Sequence, residues 1–246
     1  MSKKAGDSID SAIALKQALK NVRDEKLAAH LQRFFKTKPG QYGYGDIFWG
    51  IRVPQIRAFI KKSTLVPTEA AKLVQDQIHE VRLAGLLIWK QIFAKACRRS
   101  SFNIEAQKEI IDLYLANTKY INNWDLVDVS ASMLGMWLLD KDRSLLDKLS
   151  ASSLMWEQRI AVVSTHVFIK QDQYEDTLRL CCQHLNDKED LMHKACGWML
   201  REIGKRNLET LEQFLEKYKW QLPRTSLRYA IEHMSAEKRA YYMQVP

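Results

Sequence analysis

Ile121-Asn122-Asn123-Trp124-Asp125-Leu126-Val127-Asp128-Val129-Ser130-Ala131-Ser132-Met133-Leu134-Gly135 is the stretch whose reading decides the fold of this chain. Two asparagines stand where a helix needs a side-chain acceptor for its first N–H groups, and the run after them is apolar on nearly every side except for two carboxylates. A helix of that composition belongs in an interior. With Asn123 as its cap, Asp125 falls in the first turn, where a carboxylate offsets the positive end of the helix dipole. Asp128 lies beyond that turn, four residues after Trp124 and on the same face, with Ala131 and Ser132 completing a small-residue patch. A carboxylate beside an indole on a helix built for burial is paired, protonated or functional. A basic residue on a neighbouring helix would make it a structural ion pair.

Outward from this stretch the chain reads as helix after helix. Apolar residues recur at helical spacing over residues 9–19 and 27–35, a hairpin interrupted by Arg23-Asp24-Glu25-Lys26. Pro39 and Gly40 open the irregular segment Gln41-Tyr42-Gly43-Tyr44-Gly45-Asp46-Ile47-Phe48-Trp49-Gly50, whose glycines fit neither dinucleotide nor phosphate-loop spacing. It reads as an aromatic-lined loop packed on the helices. Further helices are expected over 55–62, 68–74 with Thr68 as cap, 79–96, 103–116, 143–149, 153–169, 173–185, 190–205, 208–218 and 224–234. Few prolines and glycines and no long alternating β-branched run leave an all-α fold, expected as one domain over residues 1–246.

The helices starting near residues 79, 123, 154, 190 and 223 each follow a shorter, more polar partner, at the period of stacked two-helix repeats. That pattern is a helical-repeat solenoid, in which the second helix of each pair lines a concave face, the usual binding surface. Irregular bundling with accidental spacing is the competing reading. Polar residues on the second helices should converge on that face: Trp124 and Asp128, then Arg159 after Trp156-Glu157-Gln158, then Trp198 with Lys194 one turn before and Arg201 three residues after.

Lys and Arg number 38 against 29 Asp and Glu, a net charge of +9, which suggests a polyanionic partner with nucleic acid ahead of a membrane. The excess cations are expected on the second helices. Met1-Ser2-Lys3-Lys4-Ala5-Gly6-Asp7 holds no apolar signal-peptide core, and no run is long enough to span a membrane, so a cytosolic protein is expected. Cys97, Cys181, Cys182 and Cys196 form no Cys-x-x-Cys pair and read as reduced. The six histidines lack metal-ligand spacing, so neither a metal nor another cofactor is expected.

Three ordered motifs, Asn123-Trp124-Asp125-Leu126-Val127-Asp128, Trp156-Glu157-Gln158-Arg159-Ile160-Ala161 and Lys194-Ala195-Cys196-Gly197-Trp198-Met199-Leu200-Arg201-Glu202, make the chain resemble the AlkD family of DNA alkylation repair proteins, HEAT-like helical-repeat DNA glycosylases. Gly50-Ile51-Arg52-Val53-Pro54 is similar to that family's entry to a helix, and the resemblance runs from about Phe34 onward. It implies a concave DNA-binding face, a catalytic cleft built by Trp124, Asp128 and Trp198, and backbone contact by Arg159, with Lys194 and Arg201 as further DNA-binding cations. It also implies excision of cationic alkylated purines, such as 3-methyladenine and 7-methylguanine, from double-stranded DNA without base flipping, by a monomer in the bacterial cytosol.

The residue types suit that chemistry. Cleaving the sugar–base bond develops positive charge on the deoxyribose, which a fixed carboxylate stabilises. Indole faces attract a cationic nucleotide, and an arginine fork fits a phosphate. One departure stands out: Asp190-Leu191 occupies the place of an aromatic pair that lies near the DNA in glycosylases of the family. A non-catalytic helical-repeat protein that binds branched or damaged DNA is the alternative, and a protein-binding scaffold a third reading.

Overall fold

The computed structural model describes residues 9–244; residues 1–8, including the lead-in segment discussed above, lie outside the described residues. The chain divides into two compact units, Met1–Ser130 and Ala131–Pro246. In the first, α1 (Ala12–Lys20), α2 (Glu25–Phe34), α3 (Val53–Ile60), α4 (Pro67–Val74), α5 (His79–Ala96), α6 (Ile104–Ala116) and α7 (Trp124–Ser130) follow one another, with 3-10 turns at Arg99–Ser101 and Thr118–Tyr120. The second holds α8 (Ser132–Leu138), α9 (Ser144–Ser150), α10 (Met155–Ser164), α11 (His166–Ile169), α12 (Glu175–Gln183), α13 (Asp190–Arg206), α14 (Leu208–Tyr218), α15 (Arg224–Ala230) and α16 (Ala236–Met243). Extended pairing among the described residues is limited to the isolated bridges Ile9–Ser63 and Ile47–Ile78. The fold is the all-α helical repeat expected from the sequence. Among the described residues no helix is long and apolar enough to cross a membrane.

Local chemistry sets several helix starts. Ser11 accepts the Ala14 N–H, Asp24 those of Lys26 and Leu27, Asn103 that of Ala106 and Asn207 that of Thr210. Thr68, expected as a cap, is already inside α4. Pro67 takes the first helical position after Val66, since a residue without an N–H loses nothing there.

Two helices expected to be continuous are broken, and hydroxyl groups account for both. α7 ends at Ser130, whose Oγ donates to the Leu126 carbonyl at 2.6 Å. The helix expected over 153–169 divides at Thr165. There Ser164 Oγ donates to the Ile160 carbonyl at 2.7 Å and Thr165 Oγ1 to that of Val162 at 2.7 Å. A side-chain hydroxyl that bonds back one turn competes with the ladder and bends it.

The core of the first unit is α5, buried along most of its length, with Trp89 fully enclosed and its Nε1 donating to the Pro67 carbonyl at 2.9 Å. Close helix approach depends on side chains being absent. A Cβ on Gly135 of α8 would sit 2.2 Å from the Ser164 carbonyl oxygen of α10, and one on Gly197 of α13 2.5 Å from that of Ser226 in α15. Both obstacles are backbone, so neither gives way cheaply. Gly135→Ala should therefore lower stability by about 1–3 kcal/mol, despite alanine's better helix propensity. Thermal unfolding of the two proteins checks this; a raised midpoint in the alanine variant would contradict the packing account.

Candidate functional site

Three charged side chains of the first unit are almost wholly buried together at the start of α5. His79 is 2% exposed, Arg82 4% and Asp46, from the irregular loop, 5%. His79 Nδ1 lies 3.2 Å from Asp46 Oδ2 and its Nε2 2.8 Å from Asp125 Oδ2. Ionised carboxylates only accept, so both ring nitrogens donate and the side chain is an imidazolium. Burial works against that charge, but the Asp125 carboxylate, with the bonds to Asp125 and Asp46, outweighs it and raises the His79 pKa to about 9. Asp46 also accepts from Arg82 Nη2 at 2.6 Å and Asn123 Nδ2 at 2.9 Å. Burial opposes its charge too, yet the His79 bond and the Arg82 guanidinium hold its pKa below the usual value.

This cluster sets the position of α7. Asn123 uses Nδ2 on Asp46 and Oδ1 on the Trp124 N–H at 2.9 Å, while Asp125, one residue into the helix, is fixed by His79. Asp125 therefore does more than offset a helix dipole. Aromatic rings reinforce the arrangement: Phe48 stacks on the imidazolium at 4.4 Å between centroids and on Phe35 at 5.0 Å, and Phe35 stacks on Trp124 at 5.3 Å. Glu80 accepts the N–H groups of Trp49, Gly50 and Ile51, which pins the loop to α5. The loop packs on the helices as expected, although Tyr44 remains exposed.

Trp124 and Asp128, both half-buried, lie one turn apart on α7. At the end of that helix Lys90 Nζ donates to the Val129 carbonyl at 2.7 Å, placing an ammonium where the dipole is negative. The buried Tyr114 hydroxyl meets Ser130 Oγ at 3.1 Å; burial raises its pKa, and the nearby Asp128 charge adds to the rise.

The other site candidates belong to the second unit. Arg159 is buried, and its Nη1 donates to the Leu191 carbonyl in the first turn of α13 at 2.6 Å. Lys194 pairs with Asp190 at 2.7 Å, and Arg201 pairs with Glu232 and lies over the Tyr229 ring at 5.9 Å. Trp198, also half-buried, donates its Nε1–H to Glu202 Oε1 at 3.2 Å, with the His166 ring 5.8 Å away. Lys205 bonds the same carboxylate at 2.7 Å. Burial opposes the charge on Glu202, but the Lys205 bond keeps its pKa below the ordinary value, so the indole has an ionised acceptor.

Residues that sequence reasoning passed over are Asp46, His79, Arg82, Lys90 and Glu202. For His79 a weak signal existed: a histidine opening an otherwise apolar helix needs acceptors for its ring. All four cysteines are free thiols.

The architecture is that of an all-α helical-repeat protein. Residues 15–234 match the family model described as DNA alkylation repair enzyme, and the chain belongs to that family. Its fold is similar to that of a predicted DNA alkylation repair enzyme from Enterococcus faecalis, with a TM-score of 0.64 at 17% identity, covering 87% of this chain and 97% of that one. It is also similar to AlkD2 from Streptococcus mutans, with a TM-score of 0.55 at 14% identity over 92% and 98% of the two chains. The smu.31 protein from Streptococcus mutans UA159 gives 0.54 at 14% identity over 91% and 98%. No curated protein matches the chain.

The charged His79 makes stability depend on pH. Its pKa is raised in the fold, so its stabilising contribution is complete below the unfolded value near 6.5 and is lost as pH rises through about 9. The difference corresponds to a ceiling of about 3 kcal/mol. Thermal midpoints of the wild type should fall between pH 7 and 10, and those of a His79→Gln variant should start lower and fall less. Parallel profiles would contradict an imidazolium at this position.

Proposed function

We propose that the protein is a monofunctional DNA glycosylase that removes cationic alkylated purines, 3-methyladenine and 7-methylguanine among them, from duplex DNA by hydrolysing the N-glycosidic bond with the base left unflipped. Family membership supports this reading, and the observation that carries it is the Trp124–Asp128 pair on a helix whose start is fixed by a buried imidazolium between two carboxylates. Preorganisation of that kind is what an electrostatic catalyst needs, because a rigid carboxylate does not have to reorganise as charge develops.

In this mechanism the bond between C1′ and the ring nitrogen breaks and its electron pair leaves with the base, which departs neutral because alkylation had made it cationic. The sugar becomes an oxocarbenium-like cation, which Asp128 stabilises. Water then adds to C1′ and releases a proton to solvent. No strong general acid is required. Trp124 and Trp198 hold the charged nucleotide through their ring faces. Phe35 fixes the first of these indoles and Glu202 the second. Arg159, Lys194 and Arg201 serve the DNA backbone, the first from a guanidinium already anchored at the start of α13. No cofactor takes part, and the protein acts as a monomer in the cytosol.

The second reading is a non-catalytic protein that binds branched or damaged DNA. One observation favours it: Asp190 stands where an aromatic side chain would meet DNA, and it engages Lys194 in an ion pair.

Asp128→Asn separates the two readings, since it preserves size and removes charge. Single-turnover release of 7-methylguanine should fall by roughly two to three orders of magnitude, while binding to an uncleavable abasic analogue changes little. A wild-type protein that binds the analogue yet releases no base would establish the second reading. A folded Asp128→Asn protein that excises at the wild-type rate would remove Asp128 from the chemistry.

A further inference from the structure

The positive charge of this protein is concentrated in one place. Of the 38 Lys and Arg, 11 fall within residues 16–62, together with only 3 of the 29 Asp and Glu; the rest of the chain is nearly neutral, with 27 against 26. The expected distribution over the second helices is therefore not found. Of those eleven cations Lys16 is paired, with Asp76 at 2.5 Å. The remaining ten, from Lys20 to Lys62, are all exposed, and among the described residues none of them forms an ion pair.

The local structure explains why they stay unpaired. Asp24 spends Oδ1 on the backbone N–H groups of Lys26 and Leu27, and Asp46 is buried in the His79 cluster, so two of the three acids of this segment are consumed by the fold. Between the α1–α2 turn and the start of α3 lies an open cleft of about 670 Å³, and Arg23, Lys26, Arg52 and Gln55 stand on its walls. Asp24 and Glu25 also line it, but across residues 16–62 the cations remain in excess, and such an excess costs stability unless a polyanion covers it. At the far end of α2, eight residues beyond Lys26 and so about 12 Å along the axis, Phe34 meets Trp124 edge-on at 6.1 Å between centroids. One helix thus joins the cation cleft to the indole that the proposed reaction uses.

We propose that α1, α2 and the start of α3 form a phosphate-binding platform for duplex DNA, in which Arg23, Lys26 and Arg52 hold the backbone three to four base pairs from the lesion. This inference rests on the DNA reading above and adds to it a second set of backbone contacts, carried by the first unit and distinct from Arg159, Lys194 and Arg201 of the second. The spacing follows from the length of α2 against a rise of about 3.4 Å per base pair. Arginine forks bind phosphate oxygens in pairs and carry no base preference, so the platform sets affinity and register without reading sequence. An anionic membrane surface would demand exposed apolar side chains interleaved with the cations, whereas the apolar lining of the cleft, Val22 and Leu27, is half-buried and its exposed neighbours are Gln55, Asp24 and Glu25.

The test is a full-length variant carrying Arg23→Gln, Lys26→Gln and Arg52→Gln, all at exposed positions, with thermal unfolding used to confirm that it folds as the wild type does. In binding titrations with an abasic-analogue duplex over a range of salt concentrations, the slope of log Kd against log salt should shrink by about 2–3 for three lost phosphate contacts. Single-turnover excision at saturating protein should stay within about twofold of wild type, because none of the three is assigned to the chemistry. Trimming the duplex to two base pairs on one side of the lesion should reduce the wild-type slope to that of the variant, and trimming the other side should not. If the wild type excises but the variant keeps the wild-type slope, the platform is overturned and the glycosylase reading stands. If the wild type shows no salt-dependent DNA binding, both fall. Loss of binding to phosphatidylserine-containing vesicles in the variant, with an unchanged DNA slope, would make the patch a membrane surface and likewise overturn the proposal.

Discussion

The first unit is organised around a buried imidazolium. His79 sits between Asp46 and Asp125, with Arg82 completing the charge balance on Asp46. Taking such groups out of water is costly, and half of the cluster without the other half would be worse than an apolar core. Its value lies in specificity. The irregular loop, α5 and α7 each contribute one corner, so the charges are satisfied only when all three elements are in register. Glu80, next in sequence to His79, adds the second constraint by collecting three consecutive loop N–H groups. A loop with little regular hydrogen bonding of its own is thereby pinned to α5.

Much of this architecture was legible because it is local. α5 and α14 match the spans read from apolar periodicity, since both carry an uninterrupted pattern between clear boundary residues. The breaks after Ser130 and at Thr165 escaped the periodic pattern because they arise from single hydroxyls bonding backward along a helix, a choice that apolar spacing does not record. Trp124, Asp128 and Trp198 were singled out through the family motifs. Their supports were not, because Asp46 reaches His79 across 33 residues and Asn123 across 77. Asp125 illustrates the limit well: its position in a first turn supplied a sufficient local explanation, and that explanation concealed a partner on another helix.

Charge followed a similar course. Net positive charge suggested a polyanion, but the sequence position of the excess was less informative than its pairing state. Arg159, Lys194 and Arg201 each have a partner within the chain, whereas the cations of α1 to α3 other than Lys16 are exposed. A cation already committed to a carboxylate or carbonyl must exchange one partner for another when it meets a phosphate. One without such a commitment exchanges only solvent and small counterions.

α2 combines these themes, because no residue in it is fully buried. It is anchored mainly at its two ends, by the Asp24 N–H bonded to the Trp49 carbonyl at 2.9 Å and by the ring of Phe35 just beyond its last turn. With so little apolar surface removed from water, its amide protons belong to the low end of the range of opening free energies in the molecule. Hydrogen exchange would thus report a segment that opens independently of α5, and each opening would uncover one face of Trp124. Any polyanion that settles on the cations of this helix slows that opening. Occupancy at the surface is then converted into order around an indole, through entropy alone and with no change of shape.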